Sequence, residues 1–193
     1  MSRSFLFLLG SARADGNTEL LARAAAEQLP AGTEQRWLRL AELDLPDFTD
    51  GRHAPAHTPL AGDEGLLHEA TLAATDLVIA SPLYWYSVSA HTKRYLDYWS
   101  KWLRTPDPEF KAKMGGHTLW GVTAMAHAEP EAARPLELTL LQSAAYLGMR
   151  YGGVLLGTAN RPGQITEDEA ALARAKTFFA AEPPLARFPF REA

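Results

Sequence analysis

Phe5-Leu6-Phe7-Leu8-Leu9-Gly10-Ser11-Ala12-Arg13-Ala14-Asp15-Gly16-Asn17-Thr18 decides how the chain is to be read. Five apolar residues stopped by a glycine form a strand short enough to be buried on both faces. From Asn17 to Leu29 the pattern changes. Leu21, Ala25 and Leu29 stand four apart on one helical face, and Pro30 closes the run. Strand, short polar loop and helix in direct succession open an α/β fold.

The loop between them fits neither G-x-x-x-x-G-K-[ST] nor G-x-G-x-x-G, so the nucleoside triphosphate and dinucleotide fingerprints are both absent. Small residues and free backbone N–H groups at a helix start make a nest for an anion, with the hydroxyls of Ser11 and Thr18 and the cation of Arg13 beside it. The plain alternative is a strand-to-helix turn capped by Asn17 or Thr18.

The same alternation continues to the end of the chain. Arg36–Leu40 is a weaker strand, and Asp44–Gly62, with Pro46, Pro55 and Pro59, is loop. Leu66–Ala74 reads as helix and Asp76–Ser81 as a central strand ending at Pro82. Ser89–Leu103 is a helix with the stripe Thr92, Tyr95, Leu96, Trp99, Leu103. A turn-rich segment, Thr105–Gly116, leads to strand Thr118–Thr123 and helix Glu131–Leu147. Strand Tyr151–Gly157 and helix Thr166–Ala181, stopped by Pro183 and Pro184, complete the pattern. Five strands joined by helical crossovers predict one domain over 1–193, a doubly wound parallel sheet with helices on both faces. Crossover handedness then gathers the strand C-terminal ends, and their loops, along one edge.

Composition narrows the chemistry. The 193 residues carry 19 basic and 23 acidic side chains, a net charge of −4 that gives no reason to expect nucleic acid or an anionic membrane as partner. Zero cysteines exclude disulfides, thiolate metal sites, iron–sulfur clusters and a cysteine nucleophile, and fit a cytoplasmic protein. The run after Arg3 is too short for a signal core, and no stretch approaches the ~18 apolar residues of a membrane span. His53 and His57 stand four apart, but Pro55 between them argues against helical metal ligands, so no metal is expected. No G-x-S-x-G elbow supports a hydrolase. Arg104, Lys111 and Lys113 read as solvated surface, and the tail Arg187-Phe188-Pro189-Phe190-Arg191 is left open between packing on a partner and fraying.

The third strand ends in Ser81-Pro82-Leu83-Tyr84-Trp85-Tyr86-Ser87-Val88-Ser89, three consecutive aromatics beside the first loop. Residues 84–102 hold seven of the chain's nineteen aromatics, where even spreading would put about two. Flat apolar surface flanked by backbone donors and acceptors suits a planar heterocycle. This pair of loops, with Ala145-Tyr146-Leu147-Gly148-Met149 and Leu156-Gly157-Thr158-Ala159, resembles the NAD(P)H-dependent FMN reductases and quinone reductases of the flavodoxin-like superfamily. The resemblance implies strand order 2-1-3-4-5 with FMN at the switch point and NADH or NADPH as electron donor. It further implies a quinone, flavin, azo or nitro compound as the small-molecule acceptor. It places Ser11, Arg13, Asn17 and Thr18 on the 5′-phosphate, and Pro82, Leu83, Tyr84, Trp85, Tyr86 and Ser87 around the isoalloxazine.

A short nest suits a terminal monophosphate, and no second glycine motif serves a bridging pyrophosphate, which favours FMN over FAD. The chain departs from many relatives after the fourth strand. Thr123-Ala124-Met125-Ala126-His127-Ala128-Glu129-Pro130 replaces a glycine-rich turn, and His127 reads first as a solvent-facing loop residue. The rival readings are a flavodoxin-type electron carrier, which would usually be more acidic, and a flavin-free relative, which the two loops together argue against. A homodimer or homotetramer is expected. Tyr98 and Trp102 lie beside the buried stripe and, with Trp85, would make an apolar patch near the flavin. The alternative is that Trp102 packs on its own chain's Pro106–Phe110 turn.

Overall fold

β1 (Ser4–Leu9) is hydrogen-bonded on both sides, and its last five residues are buried. The structure, a computed structural model, describes residues 2–51, 59–104 and 110–190. β2 (Glu34–Arg39), β3 (Asp76–Ala80), β4 (Thr118–Met125) and β5 (Arg150–Thr158) complete an all-parallel sheet in the order β2-β1-β3-β4-β5. This is the expected flavodoxin-like topology.

Successive side chains of a strand point to opposite faces, so the two central strands feed two cores. Leu6, Leu8, Leu77 and Ile79 pack with α2 (Gly62–Ala73), α3 (Ala90–Trp102), α4 (Phe110–Met114) and α5 (Arg134–Leu147). Phe5, Phe7, Val78 and Ala80 pack with α1 (Asn17–Ala26) and α6 (Glu169–Phe178). At the N-terminal edge Asp76, 2% exposed, is held by Arg3, Thr75 and the Trp120 indole N–H, so the buried carboxylate is fully partnered.

Several expected boundaries move, each for a local reason. α1 stops at Ala26, short of Leu29, because the N–H groups of Gln28 and Leu29 bond three residues back and tighten the last turn. The expected helix Glu131–Leu147 begins as a 3-10 turn, Pro130–Ala133. The α-helix starts only at Arg134, so that Pro135, which has no N–H to give, falls in the first turn. The expected helix Thr166–Ala181 splits likewise. A 3-10 turn over Gln164–Glu167 precedes α6, whose N-cap Asp168 accepts from Ala171 N. The turn-rich segment before β4 contains α4, a single short helix anchored by buried Phe110 and Met114. α2 starts four residues before the expected Leu66, and β4 runs two beyond Thr123.

The expected aromatic patch is corrected. Tyr98 is 4% exposed and Trp102 fully buried. Tyr98 donates to Pro46 O, Trp102 Nε1 donates to Glu64 Oε1, and Trp102 sits edge-on to Phe110. Of the turn named in the alternative, Phe110 is described and does pack on Trp102, while both polar tips find internal partners elsewhere in the chain, on Pro46 and Glu64. Just before the tail, Ala186 N bonds Met149 O and Tyr151 N bonds Pro184 O, covering the outer edge of β5. Within it Phe188 and Phe190 set their rings 5.3 Å apart, and Arg191 lies outside the described residues. His53, His57 and the residues 105–109 lie outside the described residues.

Candidate functional site

Leu9 pairs with Ala80, and Ala80 with Val122, so the loops after β1, β3 and β4 leave the sheet side by side. Gly10 is the first contact between two of them. Ser89, the N-cap of α3, donates from Oγ to Gly10 O at 2.6 Å and accepts from Thr92 N. A Cβ on Gly10 would lie 2.1 Å from Thr92 Oγ1, so only glycine lets this loop close on α3.

The loop from Gly10 to Gly16 has its polar groups sorted. Arg39, at the end of β2, sends Nη1 to Arg13 O at 3.0 Å and to Ser11 O at 3.3 Å. Nη2 of the same guanidinium meets Glu19 Oε2 at 2.8 Å. Arg13 N donates to Ser11 Oγ, and Asp15 N to Glu19 Oε2. In a trans peptide the N–H points opposite to the C=O. The Ala12 and Ala14 N–H groups therefore point away from Arg39, and neither has a protein partner among the described residues. α1 then begins with no side-chain cap on its first turn. Free donors and an uncapped helix start together are an anion cradle.

The residues marked in the sequence divide here. Arg13 is exposed, and its guanidinium has no partner among the described residues. Ser11 and Thr18 are buried against the loop, each retaining a hydroxyl proton after accepting a bond. Thr18 Oγ1 accepts from Ala124 N at 3.1 Å and so pins α1 to the end of β4. Asn17 behaves differently from the expectation. Its Nδ2 donates to Arg161 O at 2.9 Å and its Oδ1 accepts from Ile165 N at 3.3 Å, so its side chain clamps the loop after β5. His127 is exposed on the loop after β4.

On the neighbouring strand end, Pro82, Leu83 and Ser87 are half-buried, and Tyr84 and Ser87 exchange both backbone hydrogen bonds. The two residues between them, Trp85 (φ 48°) and Tyr86 (φ 64°), both take the left-handed conformation. Trp85 is 94% exposed. Two bulky residues in that region hold about 1–3 kcal/mol of strain each, and such strain collects where a ligand is met.

Residues 4–154 match the model of the NADPH-dependent FMN reductases, which is most of the chain. The chain belongs to this family. It is 30% identical over 168 residues to a Bacillus subtilis protein, YwqN, named as an NAD(P)H-dependent FMN-containing oxidoreductase, covering 86% of this chain and 91% of that one. A Bacillus subtilis structure titled as a Trp repressor binding protein superposes with a TM-score of 0.72 at 25% identity, covering 94% of this chain and 100% of the other. The fold is shared too by an NAD(P)H:quinone oxidoreductase from Methanothermobacter marburgensis, with a TM-score of 0.70, 17% identity and coverage of 91% and 96%. The chain is thus an NAD(P)H-dependent FMN oxidoreductase of flavodoxin-like fold.

The residues present fit that cofactor. The cradle offers donors and positive potential to a dianion, and the turn beside it offers aromatic surface to a ring. Three contributors were not singled out in the sequence: Arg39, Glu19 and the alanine N–H groups. Arg39 and Glu19 left no signal, because the fold brings them together from different elements. The sequence marks the loop as a nest of main-chain donors but not which of them stay free, because any residue type carries an N–H.

Glu19 is 2% exposed and accepts from Arg39, Arg23 and Asp15 N. Burial pushes its carboxyl up, but the hydrogen bonds of Arg39 and Arg23, with their charges, outweigh this and leave it below its ordinary value. A lowered folded-state value stabilises the protein above the unfolded-state value, and that contribution is lost as pH falls through the folded-state value. Urea unfolding followed from about pH 7 to about pH 3 should show this. Glu19→Gln should be less stable at neutral pH and have the flatter acid limb. For the strained turn, Trp85→Asn puts a residue tolerant of the left-handed region at an exposed position and removes no buried surface. The flavin-free variant should gain about 0.5–1 kcal/mol at unchanged denaturant slope.

Proposed function

We propose that the Gly10–Gly16 loop and the start of α1 hold the FMN phosphate, and that Pro82–Ser87 borders the isoalloxazine. The observation carrying this is the uncapped α1 terminus, with the unpartnered Ala12 and Ala14 N–H groups, one strand away from the projecting Trp85 and Tyr86. Ser11 and Thr18 each have a hydroxyl proton left to donate, and Arg13 supplies the free cation. Asn17 contributes its main chain, its side chain being engaged with Arg161 and Ile165.

Bound FMN supplies hydride acceptance from NADH or NADPH and electron delivery to a quinone, flavin, azo or nitro compound. The chain's own work is to bind, orient and exclude water. Trp85 and Tyr86 present flat apolar surface against which a planar ring can stack, and loop N–H groups can stabilise negative charge on it. No side-chain acid or base is assigned a step. Residues 1–193 act as one FMN-binding domain, in the cytoplasm. Among the described residues no helix is long and apolar enough to cross a membrane.

A homodimer or homotetramer is the proposed assembly, with the flavin near a subunit contact. Support comes from residues other than Tyr98 and Trp102. Leu96, Trp99, Leu103 and the 55% exposed Tyr146 line a groove of about 280 Å³ between α3 and α5, and Trp85 stands free at the start of α3. Light scattering at micromolar concentration should give at least twice the chain mass, and a monomer with full flavin occupancy would refute the assembly.

Flavin released by heat should run as FMN on chromatography, and the purified protein should oxidise NAD(P)H on addition of a quinone. Arg13→Ala should weaken FMN binding by roughly one to two decades, the loss of a charged hydrogen bond of about 1.5–3 kcal/mol. The loss should be larger at low salt than at high salt, because the Arg13 cation is exposed. A fluorescence titration unchanged by the substitution would remove Arg13 from the site.

A further inference from the structure

Among the described residues, Arg39 is the cation that reaches the loop carbonyls from behind. Its side chain is 12% exposed; its guanidinium donates to Ser11 O, Arg13 O and Glu19 Oε2, and its Nε forms an ion pair with Glu42 Oε1 at 3.2 Å. Glu19, which it shares with Arg23, and Glu42 balance the charge of the two arginines. Arg39 therefore adds little field at the front of the loop, where a phosphate would sit.

What it does add is orientation. The Ser11 and Arg13 carbonyls are fixed toward β2, and each belongs to a rigid, trans peptide whose N–H is that of Ala12 or Ala14. Anchoring two alternate carbonyls turns two alternate N–H groups forward. The intervening N–H groups, of Arg13 and Asp15, are consumed by Ser11 Oγ and Glu19 Oε2. Asp15 is itself left-handed at φ 53°, a conformation the Glu19 bond helps to hold. A planar fork can serve two carbonyls and a carboxylate at once, which a lysine ammonium on a flexible stem cannot.

We propose that Arg39, set against Glu19, is a positioning residue that makes the loop selective for the phosphorylated flavin by holding the Ala12 and Ala14 N–H groups toward the phosphate. This rests on the assignment of that loop to the FMN phosphate. The prior organisation spares the loop an ordering cost at the moment of binding.

The test is titration of flavin-free protein with FMN and with riboflavin, which lacks only the phosphate. Wild type should favour FMN strongly. Arg39→Lys keeps a positive charge beside buried Glu19 and so protects the fold, and Arg39→Gln is its companion. Each should weaken FMN by about tenfold while riboflavin stays within about twofold, so the ratio collapses. The salt dependence of FMN binding should persist in both variants, whereas Arg13→Ala flattens it. An unchanged FMN-to-riboflavin ratio in Arg39→Lys overturns the proposal, as does an equal loss for both flavins, which marks a merely structural role. Flattened salt dependence also overturns it, because Arg39 would then touch the phosphate directly. A wild type indifferent to the phosphate overturns the loop assignment itself, and the Arg39 role with it.

Discussion

β1 lies between β2 and β3 with parallel hydrogen bonds on both sides, Leu8 meeting Leu38 on one and Ile79 on the other. Chain direction reverses its progress across the sheet at this strand, so the connections from β1 and β3 pass to opposite faces and leave a crevice between their C-terminal ends. Everything the protein offers a cofactor hangs from that pairing. The β1 loop supplies anion-binding groups, the β3 loop supplies aromatic surface, and Ser89 fastens the two together at Gly10. The apolar run that makes β1 a strand is also what permits this, because a strand covered by helices on both faces has no room for polar side chains.

Around that crevice, charge is handled in two ways. Behind the loop it is cancelled: Arg39 and Arg23 face Glu19, and Glu42 completes the balance. In front of the loop it is left open, with Arg13 unpartnered among the described residues and the α1 start without a side-chain cap. An anion approaching the strand ends meets positive potential without competition from Glu19, whose carboxylate is saturated by four hydrogen bonds. A cavity of about 690 Å³ lies at the other end of the sheet, against Phe5, Leu29 and Phe179. It is lined by the C-terminal ends of α1 and α6, and its lining has no aromatic turn and no helix start to hold a nucleotide.

Strain is confined to the same edge. Asp15, Trp85 and Tyr86 are the non-glycine residues with positive φ among those described, and all three stand on the loops after β1 and β3. The other positive-φ residues among those described are glycines, which take that conformation without steric cost. Folding stability comes from the two packed faces, which leaves the loops free to adopt conformations that serve binding at a local energetic cost.

Much of this was legible in the order of the residues. Apolar runs of five, helical spacing in Leu21 and Ala25, and loops of small or aromatic residues after the first and third strands follow from local sterics and burial, which a sequence records directly. The identity of the chemistry was carried by those two loops. The fates of individual polar groups were not legible. Asn17 and Thr18 look alike as helix-start residues, yet one clamps residues 161–165 and the other pins Ala124. Tyr98 and Trp102 look surplus on a helical wheel, yet Pro46 and Glu64 give their polar tips internal partners. Arg39 looks like an edge-strand cation, yet it faces two carbonyls 26 and 28 residues earlier. The sequence determined the elements, their order and the loops that meet the cofactor, because periodicity and turn chemistry act over a few residues. Which side chain binds and which merely holds was decided only by the tertiary structure, because a hydrogen-bond partner brought from a distant segment leaves no mark on its neighbours in the chain.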